Sequence, residues 1–319
     1  MVAVPVTGVK KKPSVICKTL LAGGIAGCCA KTVVAPLDRV KILMQGHNKF
    51  YKNTGVYLSL TGVYNKEGFQ GLYKGNYVQM VRVFPYAAIQ FMSYEQYRGY
   101  LQRITHHDHH HLVNLCSGSL AGMTAVLATY PLDVMRARIA FQLKDERIYF
   151  GVLDTVKTIS QQEGKWALFR GIVPTLLGMV PYGGISFYTF ETTKTFLLDT
   201  FPDIFGSPCP KNTGGLVLIL PAKLLCGSMA GATAQSIVYP LDVVRRKIQL
   251  STMLCEPDKY TDKSLWSILK TIYHEHGIKN GLYRGITINY LRVVPMTAVS
   301  FSVFETMKQL LGLDTGVSR

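Results

Sequence analysis

Charged side chains are scarce in this sequence. They make up 17% of the 319 residues, whereas an ordinary soluble domain carries about 25%. Acidic residues are the scarcer kind, with 19 Asp and Glu against 35 Lys and Arg, so the formal net charge is +16. Apolar residues reach 48%, which excludes a disordered chain. The chain is therefore either a membrane protein with basic loops or a nucleic-acid binder, and the position of the charges decides between them.

Metal-binding and disulfide patterns are also missing. The seven cysteines include no Cys-x-x-Cys pair, so we predict neither a metal site nor a disulfide framework, and the cysteines are expected to act as small apolar residues. A histidine-rich tract at 106–111 could bind metal, but a solvated loop is the preferred interpretation. There is neither a secretory signal pattern nor an Arg- and Ser-rich presequence, so targeting information is expected within the chain.

Three stretches of the chain contain no charged residue at all. They are 112–132, 172–190 and 224–241, with 21, 19 and 18 residues. Such lengths predict membrane helices, since a helix of about 20 residues spans a bilayer. Three further apolar segments are each interrupted by one cation, Lys31, Arg82 or Arg292. A charge at membrane depth is costly unless it faces a polar cavity, so these cations predict a functional site. The alternative is a side chain near a helix end that reaches the membrane surface.

Two charged motifs recur three times in the same order. The first is Pro-Leu-Asp followed by a basic residue three positions after the Asp. Its copies are Asp38 with Lys41, Asp133 with Arg136, and Asp242 with Arg245. The second is aromatic-Glu-x-x-basic, and its copies are Tyr94-Glu95 with Arg98, Phe190-Glu191 with Lys194, and Phe304-Glu305 with Lys308. The separations from Asp to Glu are 57, 58 and 63 residues, so we predict a threefold internal repeat.

Each repeat is predicted to hold two membrane helices with a short surface helix between them. The repeats are assigned to 14–104, 112–200 and 216–312. A Gly-x-x-x-Gly precedes each Pro-Leu-Asp, and small residues at this spacing let helices pack closely in lipid. Each Pro is expected to kink the first helix of its repeat. The predicted fold class is an all-α membrane protein, with six transmembrane helices in three pseudo-symmetric repeats that form one bundle.

The charged motifs allow two interpretations. A carboxylate and a cation three residues apart can pair on one helix, which stabilises that helix only slightly. Alternatively, each carboxylate can reach the cation of the neighbouring repeat, which forms two rings of ion pairs at the two ends of a central cavity. The second interpretation explains better why all six motifs occupy equivalent positions. Partly buried ion pairs can break and re-form when desolvation and Coulomb energies nearly cancel, so the rings could work as two gates.

Together, the six motifs resemble the signature of the mitochondrial carrier family, solute carrier family 25. The resemblance covers about residues 15 to 311. It implies a multi-pass bundle in the mitochondrial inner membrane, with both termini on the intermembrane-space side and the surface helices on the matrix side. It implies alternating access, no catalysis and no cofactor. It further implies a monomer in contact with inner-membrane lipid, with cardiolipin at the matrix side.

The resemblance assigns partners within the two rings. The matrix ring pairs are Asp38–Arg136, Asp133–Arg245 and Asp242–Lys41. The cytoplasmic ring pairs are Glu95–Lys194, Glu191–Lys308 and Glu305–Arg98. Gln45 and Gln249 match the family's glutamine braces below the matrix ring, whereas Ala140 stands there in the second repeat. Only Tyr94 carries the hydroxyl of the family's tyrosine brace. Our hypothesis is that the missing braces leave both gates easier to open.

The resemblance also places substrate contacts midway along the second helix of each repeat. The matching residues are Arg82 at the first contact point, Gly178 and Met179 at the second, and Arg292 at the third, with Lys31, Gln90 and Tyr182 at the same level. Gly178 is expected to leave room for a flat ring, with Met179 as its apolar face. The cations could hold phosphates, because arginine forms bidentate charge-assisted bonds. Ordinary helix packing is the alternative for Met179 and Tyr182.

Within the family, the chain is most similar to the branch of the Graves disease carrier and the mitochondrial coenzyme A carriers. Segments 31–41, 84–91 and 174–179 carry this similarity. It implies transport of coenzyme A or a related adenine nucleotide, with exchange for an adenine nucleotide as one mode. The alternatives are an ATP/ADP-type nucleotide carrier of different specificity and a proton-leak protein on the same fold. Nucleic-acid binding is disfavoured because basic residues cluster in loops, as in 41–74, where five lysines face one glutamate.

Overall fold

Six long helices dominate the structure. The computed structural model describes residues 13–48, 50–51, 54–104, 110–144, 148–208, 216–254, 260 and 263–312. The long helices are α1 (Pro13–Gln45), α3 (Asn76–Ile104), α4 (His110–Phe141), α6 (Ile172–Thr200), α8 (Leu220–Gln249) and α10 (Ile286–Leu310). Each long helix contains an internal proline. The second helix of every repeat therefore has a proline as well as the first.

A short helix joins the two long helices of each repeat. These helices are α2 (Val56–Gly71), α5 (Val152–Gln162) and α9 (Leu265–Gly277). A 3₁₀ turn at Lys165–Phe169 follows α5, and a π turn at Ile278–Leu282 follows α9. The second residue of each short helix is a large exposed side chain, namely Tyr57, Leu153 or Trp266. Such side chains suit the boundary between water and lipid.

A glycine in the left-handed region starts the second long helix of every repeat. Gly75, Gly171 and Gly285 have φ of 82°, 84° and 82°, a conformation that costs other residues energy. A Cβ on Gly171 would lie 3.0 Å from the hydroxyl of Tyr130 and 3.1 Å from the backbone oxygen of Arg245. The turn therefore packs directly against α4 and α8, near the charged motifs.

The long helices form a closed ring in the order α1, α3, α4, α6, α8, α10 and back to α1. The most extensive contacts join neighbouring repeats, at α3 with α4, α6 with α8, and α10 with α1. The C-terminal ends of α1, α4 and α8 converge, because Leu43, Phe141 and Leu250 share one buried apolar cluster. We call this the matrix end of the bundle, and the opposite end the cytoplasmic end, after the orientation that the resemblance implies.

A short hairpin connects the second and third repeats. It consists of α7 (Pro202–Phe205) and two antiparallel strands, β1 (Gly206–Pro208) and β2 (Leu216–Leu218), with Gly206 opposite Leu218. A 3₁₀ turn at Ser251–Met253 follows α8. The predicted all-α membrane fold is confirmed, and this hairpin is an addition that the sequence analysis did not anticipate.

Four segments of the described chain are long and apolar enough to cross a membrane. They are Lys18–Gln45, Val113–Phe141, Lys165–Thr200 and Leu265–Leu310. The helices α3 and α8 fall short of this criterion. Both carry several charged side chains of the motifs, and such residues within membrane helices face a bundle interior rather than lipid. Their composition is that of helices with a polar face.

Candidate functional site

The Asp38 carboxylate lies in a buried cluster with two cations. Its side chain is 5% exposed and accepts hydrogen bonds from Arg136 at 2.6 Å and from Arg292 at 2.7 Å. The three residues lie on α1, α4 and α10, so the cluster joins all three repeats. The predicted pair Asp38–Arg136 is formed, and Arg292, which was predicted to hold substrate, is a second partner of the same carboxylate.

Asp133 is held in the same way. It contacts Arg245 on α8 at 2.5 Å and Arg82 on α3 at 2.5 Å. The amide of Gln249 donates a further hydrogen bond to Asp133 at 3.0 Å and one to the hydroxyl of Tyr130 at 3.1 Å. The predicted pair Asp133–Arg245 is thus formed next to the predicted brace, again with a substrate-site arginine as second cation.

The third position of the matrix ring differs. Asp242 accepts a hydrogen bond of 2.6 Å from the amide of Gln235, and the Lys41 ammonium lies 5.6 Å from the ring centroid of Tyr239. Neither Asp242 nor Lys41 forms an ion pair with another described residue. The predicted pair Asp242–Lys41 is therefore not formed in this conformation. Gln45, the predicted brace here, donates to the Tyr239 hydroxyl at 3.1 Å.

Equivalent positions in the repeats explain this difference. Arg82, Gly178 and Arg292 each stand seven residues after the glycine that starts their helix. Each arginine reaches the Asp of the adjacent helix, whereas Gly178 has no side chain that could reach Asp242. Two ring carboxylates therefore hold two cations each, and the third holds an amide.

The second contact point offers no open slot in this conformation. A Cβ on Gly178 would lie 3.0 Å from a methyl group of Val238 on α8, so helix packing uses the room that was expected to receive a flat ring. Met179 packs beside Tyr130 in an apolar cluster. A Cβ added to Gly122 would lie 3.1 Å from the methyl carbon of Met179. In this conformation Met179 therefore makes ordinary helix-packing contacts. The expectation that Gly178 leaves room for a flat ring is wrong for this conformation.

The remaining predicted substrate residues have few protein partners. Lys31 donates to the Met296 sulfur at 3.5 Å and forms no ion pair with a described residue. Tyr182 is 39% exposed, and a Cβ added to Gly231 would lie 4.0 Å from its hydroxyl. Gln90 is half-buried and forms no side-chain hydrogen bond within the described chain. All three side chains keep polar atoms available to a ligand.

At the cytoplasmic end, the same kind of motif pairs within single helices. Lys194 contacts Glu191 at 3.0 Å, and Lys308 contacts Glu305 at 3.2 Å. The three pairs predicted between repeats, which also involve Glu95 and Arg98, are not formed, although all six residues are described. The carboxylates of the two pairs are 42% and 47% exposed. Two of the three predicted inter-repeat pairs are thus formed at the matrix end and none at the cytoplasmic end, and we call the matrix ring closed and the cytoplasmic ring open in this sense.

The predicted brace residues also differ between the matrix end and the cytoplasmic end. Tyr94 donates to Asn114 at 3.4 Å, so its hydroxyl does not join a ring pair. Ala140 is buried, and its Cβ lies 3.2 Å from the place of a Cβ on Gly75. Ala140 also lies in the buried apolar cluster of the matrix end, so a longer side chain there would have to displace its neighbours.

Two tyrosines of the matrix end escaped the sequence analysis. Tyr130 donates to the backbone oxygen of Arg170 at 3.1 Å, and Tyr239 donates to that of Arg284 at 2.7 Å. Each also accepts a hydrogen bond from a brace glutamine. Both residues directly precede the proline of Pro-Leu-Asp, where the first repeat has Ala35. The available signal was this Tyr-Pro-Leu-Asp pattern.

Buried ion pairs tie the surface layer to the bundle in the first two repeats. Arg39 of α1 bonds Glu67 of α2 at 2.8 Å, and Arg138 of α4 bonds Glu163 at 3.0 Å. Burial raises the pKa of both glutamates, but hydrogen bonds from these arginines outweigh burial and hold each pKa below its usual range. No sequence motif predicted these pairs.

In the third repeat, a histidine stands at the position of this glutamate and stacks on a second histidine. His276 stands directly before a glycine, where the other repeats have glutamate. Its ring stacks on His47, with centroids 4.1 Å apart and planes 14° apart. Burial, followed by the positive charge of Lys247, lowers the pKa of His47 to about 3. His47 is therefore neutral near neutral pH, which suits a stacked contact.

No group of three or more His, Cys, Asp or Glu side chains that could hold a metal ion occurs in the described part of the chain. Of the histidine tract at 106–111, residues 106–109 lie outside it.

Comparison with known proteins places this geometry in a family. The family model described as "Mitochondrial carrier protein" matches residues 12–105, 107–201 and 218–315. The human "Solute carrier family 25 member 16" is 50% identical over 301 residues, which cover 93% of this chain and 89% of that protein. "Mitochondrial carrier protein CoAc1" of Arabidopsis thaliana is 39% identical over 312 residues, 92% of this chain and 89% of that protein. "Mitochondrial coenzyme A transporter SLC25A42" of Danio rerio is 38% identical over 307 residues, 95% of this chain and 90% of that protein. The chain therefore belongs to the mitochondrial carrier family and is a multi-pass protein of the mitochondrial inner membrane.

Proposed function

We propose that this carrier transports coenzyme A or a related adenine nucleotide by alternating access. The observation that carries the proposal is the set of three cations Lys31, Arg82 and Arg292, which lie between the closed matrix ring and the open cytoplasmic ring. The names of two relatives, a coenzyme A transporter and a carrier called CoAc1, favour coenzyme A within this class. Members of the family are transporters, and we propose that this chain likewise carries out no chemical reaction.

The cations suit a substrate with several phosphates. A guanidinium group can donate two parallel hydrogen bonds to one phosphate, and Lys31 adds a compact point charge. Coenzyme A and ADP both carry phosphate groups on an adenosine. Since Val238 fills the space at Gly178, this cation set, rather than a ring slot, supports the substrate class in the cytoplasm-open state.

Substrate binding would also act on the gate. Arg82 and Arg292 each contribute one of the two cations at a matrix-ring carboxylate. A phosphate that draws either arginine away leaves that carboxylate with a single cation. The substrate then binds the state with a weakened matrix ring more tightly than the closed state, which is the condition for a ligand to shift a conformational equilibrium.

Exchange by the purified carrier in liposomes tests the proposal. Liposomes preloaded with coenzyme A, ADP or adenosine 3′,5′-diphosphate should take up the labelled compound. Arg82→Ala and Arg292→Ala are expected to reduce uptake at least tenfold, since each loses a charge-assisted contact worth roughly 1.5–3 kcal/mol. Arg103→Ala, at the cytoplasmic end of α3, is the matched control and should retain wild-type uptake.

The outcomes separate the alternatives. Uptake of ADP alone identifies a nucleotide carrier of different specificity. Proton leak without uptake of any of the three compounds identifies a proton-leak protein on this fold. No uptake, or Arg82→Ala behaving like wild type, contradicts the proposed substrate.

We also propose that cardiolipin binds at the matrix side. A hollow of about 330 Å³ lies beside the start of α6 and the start of α9, with Arg170 and Lys263 at its border. Backbone N–H groups at helix starts attract phosphate, and two such starts match the two phosphates of cardiolipin. Added cardiolipin is expected to raise the melting temperature of the delipidated carrier. The rise should be smaller in the double variant Arg170→Ala/Lys263→Ala. If phosphatidylcholine raises the melting temperature of the wild-type carrier as much as cardiolipin does, the site is contradicted.

We further propose that the carrier works as a monomer, since one chain supplies all the members of both rings. The mass of the active carrier in detergent, after subtraction of bound detergent and lipid, should equal that of one chain.

A further inference from the structure

The three carboxylates of the matrix ring are held unequally. Asp38 and Asp133 each contact two cations, whereas Asp242 accepts a hydrogen bond of 2.6 Å from the uncharged amide of Gln235. We propose that Gln235 is a positioning residue, which holds Asp242 and thereby prevents the ion pair between Asp242 and Lys41 that would complete the matrix ring. The inference rests on the proposed alternating access, because it concerns how firmly the matrix gate closes.

Gln235 reaches the carboxylate along one helix. The two residues lie seven positions apart on α8, which is about two helical turns, so their side chains share a face. The equivalent positions of the other repeats hold Lys31 and Val126. Valine has no donor, and Lys31 donates to Met296. Within the described chain, this position engages a ring carboxylate in the third repeat alone.

Lys41 lies close to the ring but contacts other groups. Its side chain is buried, and its ammonium lies 5.6 Å from the ring centroid of Tyr239. A Cβ added to Gly285 would lie 3.8 Å from the Cγ of Lys41. Removal of the Gln235 amide leaves the half-buried Asp242 carboxylate without this partner. A buried charge without a partner is costly, so Asp242 is then expected to pair with Lys41.

A second layer of the same junction also uses a neutral contact. Where the first two repeats have a glutamate that binds arginine, the third has His276, stacked on His47 of the first repeat. The basic residue of the third repeat's aromatic-basic-Gly motif, Arg284, donates to the backbone oxygen of Tyr51 at 2.8 Å. The junction keeps the ion pair between Arg292 and Asp38, and beside it Asp242 and His47 make contacts with an amide and with a stacked ring.

Thermal unfolding of the purified, substrate-free carrier tests the inference. Gln235→Val installs the residue that the second repeat has at this position. We expect its Tm to rise by about 2–4 °C, because Asp242 then pairs with Lys41. The rise should vanish in Gln235→Val/Lys41→Ala, and Lys41→Ala alone should change the Tm little.

A packing role for Gln235 predicts the opposite sign. In that case Gln235→Val lowers the Tm, by the same amount with or without Lys41, and the inference is overturned. Asp242→Asn and Asp133→Asn give a second comparison that leaves Gln235 in place. The inference expects a Tm within about 1 °C of wild type for Asp242→Asn and a loss of several degrees for Asp133→Asn. Equal losses would overturn it.

These measurements can be separated from the test of the proposed function. No substrate is present, so the pattern of melting temperatures is independent of what the carrier transports. If that pattern holds while coenzyme A, ADP and adenosine 3′,5′-diphosphate are not exchanged, the gate inference stands and the substrate is rejected. If exchange is found, Gln235→Val should slow it several-fold, because a stronger junction must open in each cycle.

Discussion

The two ends of the bundle use the same charged motif with different partners. At the matrix end, Asp38 and Asp133 pair with arginines of other repeats, and their side chains are 5% and 4% exposed. At the cytoplasmic end, Glu191 and Glu305 pair with lysines three residues away on the same helix, and they are 42% and 47% exposed. Each end illustrates one of the two interpretations that the motif allows.

This difference shows that helix spacing, rather than the motif, selects the partner. Where α1, α4 and α8 converge, the cation of the next repeat is within reach and water is excluded. Where the helices are apart, the cation of the same helix is the available partner. Exposed pairs contribute little stability, so the open ring can exchange its partners at small cost, whereas the closed ring must be weakened before it opens.

The largest expected effect is loss of a buried ring carboxylate. Asp133→Asn leaves Arg82 and Arg245 with an uncharged partner, and we expect a loss of roughly 3–5 kcal/mol in the free energy of unfolding. Glu191→Gln is the matched change at the open end and should cost under about 1 kcal/mol. Thermal unfolding of both variants measures the contrast, and similar losses would remove the distinction between the two ends.

A longer side chain below the matrix ring should also destabilise the carrier. Ala140→Gln supplies the brace that the second repeat lacks, but the alanine is buried in the apolar cluster of the matrix end. Overpacking of this kind costs roughly 1–3 kcal/mol. Thr195→Gln, at an exposed position of the cytoplasmic half, should be nearly neutral. A higher Tm for Ala140→Gln would show that the matrix end has more room than this packing implies.

Acid should loosen the matrix end through His47. Its pKa is lowered to about 3, so between the ordinary value of 6.5 and pH 3 the unfolded chain binds a proton that the folded chain does not. Stability is therefore lost as the pH falls, by about 2 kcal/mol from pH 6.5 to 5. Glu67 and Glu163, whose pKa values are also lowered, add to this loss only nearer pH 4.5 and below.

Thermal unfolding between pH 6.5 and 5 isolates the histidine. His47→Gln should have a flatter pH dependence than wild type over this range, and Asp199→Asn, an acidic residue on α6 in the cytoplasmic half, serves as the control. An unchanged slope in His47→Gln would show that the stacked pair is protonated in the folded carrier.

The smallest effect is expected at the tyrosine brace. In the cytoplasm-open state, the Tyr94 hydroxyl makes one long hydrogen bond, of 3.4 Å, to Asn114. Tyr94→Phe should therefore change the free energy of unfolding by less than about 0.5 kcal/mol. A large loss would indicate that the cytoplasmic ring is already closed in the resting carrier.

The sequence was sufficient for the fold and for part of the matrix ring. Two charged motifs in three copies predict the repeat and the helices. The motifs alone left pairing within one helix and pairing between repeats open, and the family resemblance implied the pairs Asp38–Arg136 and Asp133–Arg245, which are both present.

The departures from symmetry could not be predicted in the same way. The partner of Asp242 depends on whether Gln235 or Lys41 is nearer in a given conformation, and motif spacing does not contain that distance. The same holds for the methyl group of Val238 against Gly178, since it depends on the approach of two helices. One signal was available, because Gly178 stands where the other two repeats have arginine.

Binding of coenzyme A to the purified carrier is the most direct test of the central claim, that cavity arginines next to the matrix ring hold the substrate. Calorimetric titration should give saturable binding to wild type and to Arg103→Ala. Arg292→Ala should weaken binding at least tenfold, since a charge-assisted contact is worth roughly 1.5–3 kcal/mol. Equal affinity in all three proteins would contradict the claim, as would no binding to wild type.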